Sequence, residues 1–170
     1  MLKAIAKLLA ALNGNVKKSQ IAAGFAWGLL LGLIPIGSFF WIVVFIISFF
    51  FSHNHSSKIF SMALLKLLSP AIAPAVDALG WQILHIEALL PLFTRMYNMP
   101  FVPFTKFNNT LVAGGLVGGA VLWLPSFVIF MLLIPLYRNR LAPKIRESKI
   151  VKKILQSPLF KLVDSAISSK

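Results

Sequence analysis

The chain has 170 residues, of which 58% are hydrophobic, and carries 17 Lys and Arg against 4 Asp and Glu, for a formal net charge of +13. Soluble domains are roughly 45–50% apolar, whereas residues 19–52 and 107–137 form uncharged runs of 34 and 31 residues, well past the length of about 18 that marks a membrane helix. These runs exclude an ordinary soluble domain, the lack of cysteine excludes a disulfide framework or thiolate metal site, and the scarcity of acids leaves little for acid–base catalysis.

In residues 1–12, Leu2, Ile5, Leu9 and Leu12 share one helical face while Lys3 and Lys7 lie off it. That is the pattern of a helix lying in a membrane interface. Lys7 interrupts the apolar stretch and no small-residue cleavage site precedes Asn13, so no signal peptide is expected. Asn13-Gly14-Asn15 breaks the helix, and Lys17 and Lys18 precede the first run. A continuous helix over that run would reach about 50 Å, against a hydrocarbon core of about 30 Å. Pro35-Ile36-Gly37 divides it near the middle. Two shapes fit: a long kinked span, or a hairpin that enters the bilayer and returns.

Residues 52–58 read as a polar loop. His53 and His55, two apart and without acidic neighbours, are expected to be solvated, and no metal or other cofactor is expected. Residues 59–68 read as a short apolar helix carrying Lys66, residues 69–80 are punctuated by Pro70, Pro74 and Gly80, and residues 81–96 form a mixed helix. This middle segment is read as a third, shallower hairpin or as a segment lying in the interface. Asp77, His85 and Glu87 are its acid and imidazole groups, and ionisable groups in apolar segments are candidates for ion coupling. A loop at 98–110 leads into the second run, and residues 138–170 form a basic tail with an amphipathic stretch at 150–155.

Positive charge weighs the two shapes. If both runs and the middle segment each cross once, 6 Lys and Arg lie on one side and 11 on the other; if each goes in and returns, all 17 share one face. The positive-inside rule favours the second arrangement. The expected fold is therefore an all-α integral membrane protein, a single membrane domain over 1–170. Two helical hairpins (20–52 and 107–137) would turn at Pro35 and Gly37 and at Pro125, flanked by interfacial amphipathic helices.

A shift of 90 residues superposes Ala23 on Ala113, Gly24 on Gly114, Gly28 on Gly118 and Pro35 on Pro125. This suggests repeat halves at 1–85 and 100–170, a design in which interrupted helices face a site between the repeats. Gly24, Gly28, Gly32, Gly114 and Gly118 are read as helix-packing positions that allow close approach. Ser19 and Gln20, and Asn108 and Asn109, are read as caps of the helix starts. With Lys17, Lys18 and Lys106, the residues Gln20, Asn108 and Asn109 form a candidate cradle for an anionic headgroup.

Ile21, Ala22, Gly24, Gly28, Gly32, Pro35 and Gly37 together resemble the bacterial family called domain of unknown function 2062 (DUF2062), and Asn54 matches its polar Asn after the second arm. Lys18 and Ser69-Pro70 depart from the family's usual Pro and Asn-Pro. Residues 106–115 resemble a branch of stand-alone inner-membrane proteins. The resemblance spans residues 15–135 and implies a bacterial inner-membrane location without an activity.

No phosphate loop, dinucleotide fingerprint, nucleophile elbow or metalloprotease motif is present, so no enzyme is expected. The charge is explained by basic segments facing anionic lipid of the cytoplasmic leaflet, which leaves no need for nucleic acid. The expected function is a small membrane scaffold or subunit that anchors a protein partner or a second copy of itself. The alternative is binding, flipping or transport of an anionic lipid or polyprenyl phosphate.

Overall fold

The structure, a computed structural model, describes Leu12 and residues 16–143. The expected amphipathic stretches at 1–12 and 150–155, and all of the tail beyond 143, lie outside the described residues apart from Leu12.

Among the described residues the chain is helical and has no strand. The long helices are α1 (Lys18–Leu33), α2 (Phe39–Ser48), α3 (His55–Leu84) and α5 (Thr110–Leu136); the short α4 (Leu90–Tyr97) sits in the connection between α3 and α5. Two of the helices, α3 and the helix running from Thr110 to Arg140, are long and apolar enough to cross a membrane.

The centre of the bundle is α1. It has no polar face, and Ile21, Ala22, Ala26 and Leu31 are fully buried, as is Ile34 just beyond its end. A helix that is apolar all round must be covered all round, and here α3 and α5 supply the cover. α3 runs parallel to α1. The Ser57 and Ser61 hydroxyls, one turn apart, donate to the Ile21 and Phe25 carbonyls, also one turn apart, each at 3.1 Å. α5 runs antiparallel to both. Gly115 and Gly119 meet Leu33 and Leu30, Phe130 stacks on Phe25 with centroids 4.0 Å apart, and Arg138 donates to the carbonyls of Leu12 and Val16, each at 2.8 Å. The bundle thus has a near end, holding Lys17, Lys18 and Arg138, and a far end, holding residues 85–109.

The first apolar run leaves the near end and comes back to it. α1 stops at Leu33, the chain turns over Pro35-Ile36-Gly37, and α2 returns. The return is closed by the Asn54 N–H, which donates to the Gln20 carbonyl at 2.8 Å. Gly37 adopts a left-handed φ of +80°, a conformation that is inexpensive only without a Cβ. Ser38 then caps α2, accepting from the Trp41 N–H at 3.2 Å.

Two expectations are corrected. The second run, 107–137, is not a hairpin turning at Pro125: α5 passes through that proline as one helix. The middle segment is not a shallow hairpin of punctuated pieces either, because α3 continues through Pro70 and Pro74 for 30 residues. An interior proline removes one donor and crowds the preceding turn, but packing on both sides of it holds the helix. In α5, Trp123 packs against Trp27 (5.8 Å) before Pro125 and Phe130 stacks on Phe25 after it.

Candidate functional site

Ile34, at the base of the turn that ends α1, is fully buried, while Ile36 and Gly37 at its tip are exposed, so the carbonyls freed at the buried base need donors. Four carbonyls of this stretch have them. Leu30 C=O accepts from the Ile34 N–H and Pro35 C=O from the Ser38 N–H. Leu31 C=O accepts from the Trp41 indole at 3.1 Å, and Ile34 C=O accepts from the Lys66 ammonium at 2.5 Å. Lys66 therefore sits as a cation at the carbonyl end of a half-length helix, where the helix dipole is negative.

Lys66 also lines a cavity of about 300 Å³ beneath the turn, walled by Gly32, Leu33, Pro35, Ile36, Ser69, Ile72, Ala73, Val76 and Leu111. Two turns nearer the start of α3, Lys58 is 2% exposed. Its ammonium donates to the Ser48 hydroxyl at 2.9 Å and lies over the rings of Phe49 (4.2 Å) and Phe45 (5.0 Å). Among the described residues no carboxylate pairs with either lysine. Among the described residues, then, the buried Lys58 and the half-buried Lys66 meet neutral partners alone.

The residues singled out from the sequence are distributed as follows. Gly24 and Gly28 face Ser57, Asn54 and Lys58 of the α3 start, and Gly32 faces Leu65. Gly114 meets Val76 and Gly80, and Gly118 meets Leu79. The six headgroup residues do not form one cradle: Lys17, Lys18 and Gln20 are at the near end, Lys106, Asn108 and Asn109 at the far end, because α5 opposes α1 in direction. Asn109 caps α5, accepting from the Val112 N–H at 3.1 Å. Ser19 and Gln20 do not cap α1; they lie within it, and its N-cap is Lys17, without a side-chain bond.

The ion-coupling trio does not converge. Asp77 accepts from the Thr110 hydroxyl, His85 stacks on Trp81 at 4.2 Å, and Glu87 is exposed beyond the end of α3. Among the described residues no three His, Asp or Glu side chains come together. The expected 52–58 loop is a loop only up to Asn54, since α3 begins at His55, and it is less solvated than expected at His53, which is 9% exposed and hydrogen-bonds the Phe51 carbonyl through Nδ1 at 2.7 Å. Its ring lies 4.6 Å from that of His55. Burial holds the His53 imidazole below its ordinary pKa, the Phe51 carbonyl opposes this, and Lys58 and His55 add to it.

Sequence reading missed Lys58 and Lys66 as a pair. The available signal was two lysines eight residues apart in an apolar stretch with no acid near them, since ionisable groups inside apolar segments are functional candidates. Their partners, Ser48 and Ile34, are distant in sequence and could not be read.

A protein of Treponema pallidum (strain Nichols), described as uncharacterized, is 32% identical to this chain over 161 residues, covering 95% of the chain and 99% of the relative. The chain belongs to that protein's family. No family model matches the chain, and no solved structure does.

Proposed function

We propose that this family member is a multi-pass protein of a bacterial inner membrane that binds an anionic lipid within its bundle and carries the headgroup past the hairpin turn. The motif from Ile21 to Gly37 makes it, on this reading, a stand-alone member of the DUF2062 group. Large apolar side chains cover the outside: Phe39, Ile42 and Ile46 on α2, and Val121, Leu124 and Leu132 on α5, are 46–70% exposed. Exposed apolar surface of this extent needs cover, which lipid supplies. α3, with 30 residues, and α5, with 27, reach about 45 and 40 Å, enough to cross; α1, with 16, reaches about 24 Å and stops short. Re-entry of the first run follows. Lys17, Lys18, Arg138 and Arg140 gather at the near end, against Arg95 and Lys106 at the far end, so the near end is cytoplasmic under the positive-inside rule.

The observation that carries the lipid reading is the buried Lys58 and the half-buried Lys66, which meet no acid among the described residues. Burying a cation is costly unless an anion meets it, and the lipid headgroup is the anion a membrane offers. The test uses purified protein in phosphatidylcholine vesicles carrying a trace of labelled phosphatidylglycerol or labelled phosphatidylcholine. Protein-dependent exposure of the inner-leaflet phosphatidylglycerol label to an impermeant quencher, exceeding that of phosphatidylcholine, is the expected result. Labels that stay protected as in protein-free vesicles, with no anionic lipid retained on purification, would sink the reading and leave the scaffold function.

A further inference from the structure

The cavity beneath the hairpin turn is built as an amphiphile is built, with one polar end and apolar walls. Its polar end is Lys66 and Ser69, three residues apart and so on one face of α3. An ammonium has three N–H donors; the Ile34 carbonyl takes one of those on Lys66. The Ser69 hydroxyl makes no hydrogen bond among the described residues, whereas Ser57 and Ser61 on the same helix both donate to α1 carbonyls. Donors are therefore free at one end of the cavity, while Ile36, Ile72, Val76 and Leu111 line the rest.

We propose that this cavity seats one phosphate group of an anionic lipid, with the Lys66 ammonium and Ser69 hydroxyl on the phosphate oxygens and the lipid chain along the apolar wall. The inference rests on the lipid reading above and gives it a place and a headgroup class. The volume of about 300 Å³ is at the small end of ligand pockets, which span roughly 300–1,000 Å³, and is enough for a compact phosphate. A free phosphate shares the chemistry at the polar end but gains nothing from four apolar side chains. The lipid is the source the walls select.

Lys66 has a second role on the page, as the cation at the end of α1, so Lys66→Met alone cannot separate binding from folding. Ala73→Phe can. Ala73 lines the cavity, and a phenyl ring there fills the space while leaving the Lys66 contact to Ile34 in place. The experiment counts lipids bound to the detergent-solubilised full chain by native mass spectrometry. Phosphatidic acid, phosphatidylglycerol and phosphatidylcholine are offered separately, and inorganic phosphate is added as competitor. The expected result is preferential binding of the two anionic lipids, weakened about tenfold or more by Ala73→Phe and by Lys66→Met, and less by Ser69→Ala, in line with loss of a charge-assisted bond. Inorganic phosphate should not displace the lipid at equal concentration. If the wild-type chain binds no anionic lipid, the general lipid reading fails. If it binds them and Ala73→Phe binds equally well, that reading stands and the cavity assignment is overturned. Displacement by inorganic phosphate at equal concentration overturns the lipid as the source.

Discussion

The two apolar runs begin alike and end differently. In a register of 90 residues they share glycines at 24 and 114 and at 28 and 118, and prolines at 35 and 125. The chain turns back at the first proline and runs straight through the second. The neighbours decide it. After Pro35 come Gly37, which accepts a left-handed φ, and Ser38, which caps the returning helix. At the equivalent places after Pro125 stand Phe127 and Val128, which supply neither. A proline costs a helix one hydrogen bond; it takes a residue that tolerates positive φ and a cap to redirect the chain.

The comparison can be broken most sharply by topology. Single cysteines replacing Ser56, Asn139 and Thr105 should divide all-or-none in cells. On the membrane reading proposed above, the first two react only from the cytoplasm, and Thr105 only from the opposite side, because on that reading one run returns and the other crosses. Labelling of Thr105 from the cytoplasm would overturn the crossing of α5.

Gly37→Val forces a β-branched residue into the left-handed region and should destabilise the purified protein by about 2 kcal/mol, seen as a lowered unfolding midpoint in detergent. Nothing lies within 4 Å of a Cβ at that position, so the loss would be backbone strain alone. Ser38→Ala removes the cap of α2 and should cost about 1 kcal/mol by the same measurement. Pro125→Ala should be the mildest, within about 0.5 kcal/mol of wild type or stabilising. It returns a backbone donor to an exposed position of a helix that is already formed. A large loss there would mean that Pro125 shapes α5 after all.

Much of the first run was legible because its signals are local. The stop after Leu33, the turn at 35–37 and the glycines facing a neighbouring helix all follow from residue type and spacing. The continuity of α3 and α5 was not legible, since it depends on what packs beside each proline. Pro70 and Pro74 look like punctuation in isolation, yet the helix around them is held at Gly80, which meets Thr110 and Gly114 some 30 residues later in the chain. Lys66 was visible as an odd charge in an apolar helix. Its significance required Ile34 and the cavity, which only the fold brings to it.

The closure between the Asn54 N–H and the Gln20 carbonyl bears on how such a protein is made. On the membrane reading, everything from Gln20 to Asn54 dips in and comes out where it started, so no polar segment of that stretch has to be translocated. Among the described residues, insertion machinery then has one connection to carry across, residues 85–109 between α3 and α5. The hairpin can assemble beside the emerging chain before α3 inserts, with Ser57 and Ser61 docking on α1 as they appear.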